Sequence, residues 1–357
     1  MSQGRSSRLF SPRRKRRTGC LTVALLLLAV IALVLSLNGL SNRYVRLETR
    51  GITVLNLPKE LEGYTILHLS DLNAAGLGSA QDNLRAALDK EAYQAVVLSG
   101  DMVGRSGRVE PLLEALALLR PNTPVFLVAG DSDPMALLQG AHGDGEVKAA
   151  WVRRAEEQGA IFLEAPYRVE YEGKAVWFCP GETFLLDLPN AIFALKELIN
   201  SLEASADPYE PETAARLRFA RHRLEVMETS LGRLSLMKPG DAIVAVTHHP
   251  PDDEQLGELA HQAKEGDLPS PSLFLAGQYN NGQLRLPGLG PVYIPRQSDG
   301  RGGFFPGDEG FTGLSIRQGY PVYISPGLGA SSYYPLPLRL FNRPVATLVQ
   351  LTARMTR

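Results

Sequence analysis

Side chains that could bind a cation follow five short apolar runs of the sequence. In chain order these groups are Asp71 and Asn73; Asp101; Asp131, Ser132 and Asp133; His248 and His249; and Gln278 and Asn280. Aspartates that lie close together repel and raise one another's pKa unless a cation lies between them. Carboxylates and amide carbonyls are ligands of hard cations, and an imidazole adds a nitrogen ligand. These residue types predict a divalent-cation site if the five runs bring their ends together.

The apolar runs themselves are typical of buried strands. Seven are rich in β-branched residues and stop at Gly, Pro, Asp or His: "YTILHLSD", "QAVVLSGD", "PVFLVAGD", "KAVWFCPG", "DAIVAVTHHP", "SLFLAGQ" and "PVYISPG". Helical patterns separate the first runs, and Ser79 is the predicted cap of "AQDNLRAALDKEA". This alternation predicts α/β layering. Ligands bind at the carboxyl ends of strands in open α/β sheets, so the polar residues are expected to converge on one crevice.

Residues 186–238 interrupt this alternation with a helical segment. Two helices are predicted near 190–204 and 212–236, joined by a Pro-rich turn. The first carries apolar residues at helical spacing, at Ile192, Leu195, Leu198, Ile199 and Leu202. This spacing favours ordinary packing, and a weaker hypothesis is that the two helices cap the crevice or bind a partner.

Each polar motif alone has a simpler interpretation. "SGD" and "AGD" are common at strand-to-turn junctions, where the Asp closes an Asx turn or caps a helix. Among the histidines, His68 is expected to be packed within a strand and His249 to shape a turn, and three are expected to be solvated: His142, His222 and His261. The recurrence of polar groups at five strand ends favours a binding site over turn chemistry.

In this order the motifs resemble those of the calcineurin-like metallophosphoesterases, especially a membrane-anchored or exported bacterial branch. The family pattern is D-x-H, G-D, G-N-H-[DE], a His before Pro, and G-H-x-H, and the corresponding stretches are "DLN", "GD", "GDSD", "HHP" and "GQYN". The similarity extends through "NGQLRLPGLGPVYIP" and "VYISPGLGASSYYPLPLRLFNRPVATLVQL", and it covers about Leu47 to Leu351. It implies a layered α/β sandwich with central mixed sheets and a hydrolase that uses two metal ions, with 186–238 as an insertion.

The resemblance also implies a set of metal ligands. One metal site would use Asp71, Asn73, Asp101 and Asn280. The second would share Asp101 and add Asp131, His248 and Gln278. Ser132 stands where the family has the histidine that assists the leaving group. Asp71, Asp101 and His248 match the family pattern, whereas Asn73, Asp131, Ser132, Gln278 and Asn280 depart from it.

These departures change the chemistry that the site could support. An amide carbonyl is a weaker ligand than imidazole for Zn or Fe, so a full dinuclear transition-metal centre is not expected. Serine cannot protonate a leaving alkoxide near neutral pH. One hypothesis is a pseudoenzyme that serves as a binding or regulatory module, with one weakly bound divalent cation and little phosphoesterase activity. The other is an active phosphoesterase adapted to a hard cation such as Mg²⁺, Mn²⁺ or Ca²⁺.

Composition and charge exclude several classes of protein. The 357 residues are 44% hydrophobic and 21% charged, which is typical of a globular protein rather than a disordered one. Seven of the 37 Lys and Arg residues lie between positions 5 and 17, and the remaining 30 face 38 Asp and Glu. This acidic balance disfavours nucleic acid as a partner of the main body. With only Cys20 and Cys179, a disulfide framework is not expected.

Residues 21–40 are uncharged and long enough to cross a membrane as a helix of about 20 residues. The basic segment before them, compared with Arg43, Arg46 and Arg50 after them, predicts a cytoplasmic N-terminus and an extracytoplasmic main domain. No convincing cleavage site follows the run, so an uncleaved single-pass anchor is predicted. The predicted order is a basic N-terminus (1–20), a transmembrane helix (21–40), a linker (41–50) and a metallophosphoesterase-like domain (51–357). The expected partners are the membrane and a phosphate-containing or lipid-linked ligand.

Overall fold

The chain divides into two compact units, Met1–Ser41 and Asn42–Arg357. The structure, a computed structural model, describes residues 15–141, 145–205, 207, 209–265, 269–297, 300–336 and 338–353. The fold and the candidate site belong to the second unit.

The first unit contains one long apolar helix, α1 (Lys15–Ser41). Its segment Leu21–Ser41 is long and apolar enough to cross a membrane, and an N-terminal signal sequence would have the same features. Most of the predicted basic cytoplasmic segment, residues 1–14, lies outside the described residues.

The second unit is built on two six-stranded sheets and two short two-stranded ones. In chain order the strands are β1 (Arg46–Thr53), β2 (Thr65–Leu69), β3 (Ala95–Ser99), β4 (Val125–Val128), β5 (Ala160–Phe162), β6 (Tyr167–Tyr171), β7 (Lys174–Pro180), β8 (Ala242–Val246), β9 (Leu273–Ala276), β10 (Arg285–Leu286), β11 (Gly290–Pro291), β12 (Tyr293–Ile294), β13 (Gly303–Phe304), β14 (Gly313–Arg317), β15 (Tyr320–Ile324) and β16 (Val345–Thr352).

Both large sheets mix parallel and antiparallel strands. The first sheet has the order β1-β16-β2-β3-β4-β5, and its β16–β2 pairing is antiparallel while the others are parallel. The second has the order β14-β15-β9-β8-β7-β6, with antiparallel pairing only at its two edges. Five central strands of the two sheets, β2, β3, β7, β8 and β9, are buried along nearly their whole length, as their continuous apolar sequences predict.

Helices cover the outer faces of both sheets. They are α2 (Asp82–Leu88), α3 (Glu110–Ala117), α4 (Ala150–Glu157), α5 (Glu182–Leu185), α6 (Leu188–Glu203), α7 (Pro211–Leu234) and α8 (Asp253–Glu265). One apolar cluster joins α2, α3 and α4 to the first sheet, a second fills the space between the sheets, and a third joins α6, α7 and α8 to the second sheet. This arrangement confirms the predicted layered α/β sandwich with central mixed sheets.

Two local predictions differ from the structure. Ser79 does not cap α2, because a single 3₁₀ turn (Ser79–Gln81) precedes the helix and the chain leaves it with Gln81 in a left-handed conformation. The Gln81 amide instead accepts a hydrogen bond from the Leu77 N–H at 2.8 Å and donates to the carbonyls of Ala75 and Pro111. The second difference is that β1 begins at Arg46, inside the segment 41–50 predicted as a linker, because its backbone pairs with β16.

Helices α6 and α7 occupy the segment predicted to be helical. Three of the five apolar residues named from the sequence are buried, Ile192, Ile199 and Leu202, and Ile192 packs in the same cluster as Met227 of α7. His222 of α7 is half-buried and lies 2.7 Å from Glu164, so the prediction that it is solvated is wrong. His142 lies outside the described residues. That the two helices are an insertion which caps the crevice or binds a partner stays a prediction.

Candidate functional site

The ends of strands from both sheets meet in one place, and backbone and imidazole hydrogen bonds hold them together. His248, which follows β8 of the second sheet, donates from Nδ1 to the Ser99 carbonyl at the end of β3 at a distance of 2.8 Å. The Gly277 N–H, after β9, donates to the His248 carbonyl at 3.0 Å. The Asp71 N–H, after β2, donates to the Gly100 carbonyl at 3.0 Å. The predicted convergence of strand ends therefore occurs across the two sheets.

Four of the predicted residues form the innermost part of the site, which we call the inner cluster: Asp71, Asp101, His248 and Asn280. One ligand atom from each of Asp71, Asp101 and His248 lies within 4.8 Å of the others, and all three residues are buried. His248 Nε2 lies 3.4 Å from Asp101 Oδ1. The Asn280 amide donates to Asp71 Oδ1 at 3.3 Å. Within the described ranges, this is the one place where three His, Cys or acidic residues are grouped closely enough to hold a metal ion.

Asp131, Gln278 and His249 form a second group beside the first, which we call the outer cluster. Asp131 Oδ1 lies 3.2 Å from His248 Nε2, and its Oδ2 lies 3.6 Å from His249 Nε2. The Gln278 amide donates to Asp131 Oδ2 at 3.5 Å. The side chain of Asp131 is 27% exposed and that of His249 is 57% exposed, compared with 4% for His248. The outer cluster is therefore in contact with solvent. Its Asp131 carboxylate already contacts one amide group and two imidazoles.

The remaining predicted residues lie beside the two clusters. Ser132 is buried, its N–H donates to Asp101 Oδ1 at 2.8 Å, and its hydroxyl has no hydrogen-bond partner among the residues that the structure describes. Asn73 donates from its amide to the Asp71 carbonyl at 3.3 Å, and its backbone N–H donates to the Asp101 carbonyl at 2.7 Å. Asp133 points to the loop backbone, accepting from the N–H groups of Val103, Gly104 and Gly130. Asp133 therefore braces the loop that follows Asp101.

The backbone at the site is held in conformations that most residues avoid. Asp71, Asp101, Asn73, Gln278 and Asn280 all have positive φ, between 48° and 87°. Such conformations cost on the order of 1–3 kcal/mol each for residues other than Gly, and they concentrate at functional sites. Asp and Asn tolerate them best because their side chains bond locally.

Glycines beside the site permit the close approach of its side chains. A Cβ atom at Gly277 would lie 2.0 Å from Ser70 Oγ and 2.8 Å from Asp71 Oδ2. A Cβ atom at Gly130 would lie 2.1 Å from Asp101 Oδ1. At Gly100 it would lie 2.4 Å from His248 Nδ1. Any larger residue at these positions would displace an inner-cluster side chain.

Burial and charge shift the pKa values of the clustered residues in opposite directions. Burial raises the pKa of Asp71 to about 7, although the nearby His248 acts against it. Burial alone would lower the pKa of His248, but Asp101 and Asp131 outweigh burial and raise it well above its usual value. The pKa of Asp131 falls to about 2, because His248 more than offsets the effect of its partial burial. A positively charged imidazole can thus balance the carboxylates when no other cation is bound.

The donor atoms fit a divalent cation. His248 Nδ1–H is held by a backbone carbonyl, which directs Nε2 toward the carboxylates, as is usual for metal-binding histidines. Asn280 Oδ1 and Gln278 Oε1 are buried oxygens without a hydrogen-bond partner in the described structure, and His248 Nε2 faces the carboxylates of Asp101 and Asp131. Two carboxylates, one amide oxygen and one imidazole nitrogen, from Asp71, Asp101, Asn280 and His248, form a donor set that suits a hard divalent cation.

Some residues that support the site were not identified from the sequence. The guanidinium of the buried Arg339 donates to the carbonyls of Gly329, Pro326 and Asn342, and the N–H of Gly329 donates to the Asp71 carbonyl. The Asn342 amide donates to the Asn280 carbonyl at 2.9 Å. These residues hold the backbone of the inner cluster from behind. The stretch "LRLFNRP" had indicated only the family resemblance.

The chain was compared with protein families, curated proteins and solved structures, and the family match agrees with this architecture. The family model for "calcineurin-like phosphoesterase" matches residues 64–276, which is more than half of the chain. The match includes Asp71, Asp101 and His248 and ends before Gln278. The crystal structure of phosphopantetheinyl hydrolase from Mycobacterium tuberculosis is similar to 74% of this chain and 91% of that chain, with 14% identity and a TM-score of 0.37. No curated protein matches the sequence. By the family match over 64–276, this chain belongs to the calcineurin-like phosphoesterase family.

Proposed function

We propose that this protein is a membrane-anchored module with the calcineurin-like phosphoesterase fold that binds one hard divalent cation together with a phosphate-containing ligand and hydrolyses it little. The observation that supports this proposal is the contrast within the site. Asp71, Asp101 and His248 keep a compact, buried group of ligand atoms. The positions that would complete a second metal site carry Asp131 and Gln278, which contact each other.

The inner cluster would hold the cation through Asp71, Asp101, His248 and Asn280. Such a cation would supply positive charge that neutralises the two carboxylates and attracts phosphate oxygens. Without it, the same charge balance depends on a proton at His248. The buried amide oxygen of Asn280, which lacks a hydrogen-bond partner, supports its assignment as a ligand.

Low turnover follows from the residue at position 132. A hydrolase of this kind needs an acid that protonates the leaving oxygen, a contribution of about 10²- to 10⁴-fold in rate. Ser132 offers only a buried hydroxyl, and its backbone N–H serves to hold Asp101. Position 132 therefore supplies no side chain of suitable pKa to protonate the leaving oxygen.

One observation favours the alternative of an active phosphoesterase adapted to Mg²⁺, Mn²⁺ or Ca²⁺. Asp131 adds a third carboxylate, whose oxygen lies 3.2 Å from His248 Nε2. Three carboxylates at one site supply the hard, charged ligands that such cations prefer. In this alternative the outer cluster also binds metal and the reaction proceeds without an acid at position 132.

The experiment that separates the two proposals measures metal content and phosphodiester turnover of the purified full-length protein. Our proposal expects a single hard cation, poor retention of Zn²⁺, and hydrolysis barely above background with every divalent cation tried. Robust turnover with Mg²⁺, Mn²⁺ or Ca²⁺ would establish the alternative instead.

The membrane part of the proposal is that residues 21–40 form an uncleaved anchor, with the N-terminus in the cytoplasm and the phosphoesterase-like domain outside it. The apolar helix α1 and the positive charges that precede the apolar run support this topology. Reporter fusions at the C-terminus test it. Activity of a reporter that works only in the cytoplasm would contradict the proposed orientation.

A further inference from the structure

The chain enters the folded domain at the end of the strands where the candidate site lies, which we call the near edge of the domain. The Asn42 amide, one residue after the end of α1, already donates to the Arg339 carbonyl at 2.7 Å. The Arg46 N–H, at the start of β1, donates to the Pro344 carbonyl at 2.8 Å. Between these two acceptors lies Asn342, whose amide holds the Asn280 carbonyl. The first residues of the second unit are therefore held by the segment Arg339–Pro344, which also contacts the backbone of the inner cluster.

The opposite edge of the domain is far from this point. β1 runs parallel to β16 over eight residues, from Arg46 to Thr53. At about 3.3 Å per residue, the far end of β1 is roughly 26 Å from the edge where the chain enters. Leu55, just beyond that end, is 83% exposed and is a natural reference position on the far edge.

Six exposed apolar side chains lie in the entry segment, at the end of β13 and in the loop that follows β15. We call this set the apolar rim, and its members, each between 47% and 76% exposed, are Tyr44, Phe304, Phe305, Tyr333, Leu336 and Phe341. Ring contacts join the rim to the site. Phe304 packs on Tyr293 at 5.1 Å between ring centroids, Tyr293 packs on Tyr334 at 6.5 Å, and the Tyr334 hydroxyl donates to the Tyr279 carbonyl.

Arginines accompany the apolar rim. A cavity of about 520 Å³ is lined by Arg46, Arg50, Arg285 and Arg343 together with Phe341 of the rim, and Glu48 is its one acidic lining residue among those described. Arg46 and Arg50 both contact Glu48, and Arg285 contacts Asp308. Arg343 is exposed, and its guanidinium donates to the Tyr44 carbonyl at 3.4 Å. Its positive charge is thus available to an anionic partner. The cavity as a whole also carries a net positive charge, because four arginines lie near only two carboxylates.

Exposed aromatic residues next to arginines are typical of surfaces that lie in the headgroup region of a bilayer. We propose that the apolar rim and its arginines dock on the surface of a membrane that contains anionic lipids, so that the candidate site is held next to lipid headgroups. The proposal rests on the anchoring proposed above, because Asn42 and Arg46, which follow the proposed anchor in the sequence, contact the domain on the side of the inner cluster. The complementary charge of Arg343 and the lining arginines selects anionic lipid over a neutral surface.

The test uses the full-length chain in vesicles of equal parts phosphatidylcholine and phosphatidylglycerol. A fluorophore is attached at Phe304→Cys or, as the matched control, at Leu55→Cys, in a Cys20→Ser background; Cys179 is buried and does not react. Lipids carrying a nitroxide quencher in the upper acyl chain are then introduced. With the fluorophore at position 304, we expect its emission to shift to shorter wavelength and to be strongly quenched by the nitroxide lipids. With the fluorophore at position 55, we expect neither change.

A charge variant tests the role of the arginines. With the probe at position 304, Arg343→Glu is expected to reduce quenching on these vesicles, whereas Arg343→Lys is expected to preserve it. Quenching at position 304 that is no greater than at position 55 would overturn the proposal, including the case in which the rim binds a protein or a second copy instead. Carbonate extraction of the same vesicles reports on the anchor separately, and the metal content reports on the cation site. A failure of docking can therefore be distinguished from a failure of the proposed function.

Discussion

The inner and outer clusters of the site are adjacent, yet they differ in burial and in the state of their ligand atoms. Asp71, Asp101 and Asn280 are almost completely buried, and the side-chain oxygen Oδ1 of Asn280 has no hydrogen-bond partner within the described structure. Asp131 and His249 are in contact with solvent and with each other. Both clusters share His248, whose Nε2 faces a carboxylate from each.

This difference is the basis of the proposal that only one of the two metal sites implied by the family pattern is kept. The inner cluster is fixed by glycines, left-handed backbone and hydrogen bonds from Asn342, so its geometry depends on the fold itself. In the outer cluster, Gln278 also has a positive φ, whereas the Asp131 carboxylate is held by contacts with Gln278, His248 and His249.

The largest expected effect comes from restoring the family residues in both clusters. The combination Asn73→His, Asp131→Asn, Ser132→His, Gln278→His and Asn280→His should bind two transition-metal ions and raise phosphodiester turnover by about 10²- to 10⁴-fold, since it returns the imidazole ligands and the acid. Single reversions should do little, because ligands act as a unit. The measurement is turnover with Zn²⁺ or Mn²⁺. Adding Asp101→Asn to the combination is the control and should abolish the gain; a folded combination that binds no metal would contradict the assignment of the ligands.

Removal of one carboxylate from the inner cluster should weaken cation binding more than removal of one carboxylate from the outer cluster. Asp101→Asn should weaken binding of Mg²⁺, Mn²⁺ or Ca²⁺ by at least about 100-fold, the upper end of what even outer-shell changes cost. Asp131→Asn should weaken it by less than about tenfold, because its carboxylate is partly solvated and paired with histidines. Calorimetric titration measures both, with the exposed Asp89→Asn as the control. Equal losses in the two variants would show that the clusters do not differ as proposed.

A methyl group added beside the inner cluster should destabilise the fold. Gly277→Ala would place a Cβ atom 2.0 Å from Ser70 Oγ and should lower the free energy of unfolding by about 1–3 kcal/mol. Gly257→Ala, within α8 and with no atom within 4 Å of the new Cβ, should raise it by about 0.5–1 kcal/mol. Denaturant unfolding of the two variants measures the contrast, and similar values for both would mean that the inner cluster is not packed tightly.

The smallest effect concerns a charged contact far from both clusters. Partial burial alone would raise the pKa of Glu164, but hydrogen bonds and charge from His222 and Lys148 outweigh burial and lower it. Because the folded pKa is depressed, this contribution to stability is present above the unfolded pKa and is lost as pH falls through the folded one. Glu164→Gln should therefore lower the free energy of unfolding by about 1 kcal/mol at pH 7, and this deficit should shrink steadily as pH falls below the unfolded pKa of glutamate, about 4.3. The exposed Glu228→Gln is the control; a deficit of Glu164→Gln that persists in acid would contradict the explanation.

The strands and the location of the site could be predicted from the sequence because both depend on local patterns. Continuous apolar runs ending in Asp, His or Gln predicted strands buried on both faces, and the topology of such sheets brings their ends together. These two arguments were sufficient to predict that Asp71, Asp101, His248 and Asn280 lie together.

The supporting contacts could not be predicted because they join distant parts of the chain. The bond from Asn42 to the Arg339 carbonyl joins residues 297 positions apart, and no local pattern in either segment signals it. The close packing of Gly277 on Ser70 depends on how two separate sheets face each other. Even the local cap at Ser79 was mispredicted, because a tertiary contact of Gln81 with Pro111 competes with helix capping.

The central claim is that one hard-cation site survives where two transition-metal sites would stand in an active relative. Its most direct test is the stoichiometry of bound metal in the full-length protein, measured by elemental analysis after equilibration with Mg²⁺, Mn²⁺, Ca²⁺ or Zn²⁺, alongside phosphodiester turnover. The account predicts a single hard cation per chain, kept in Asp131→Asn, lost in Asp101→Asn, and accompanied by turnover near background. Two tightly held transition-metal ions per chain with robust turnover would contradict it.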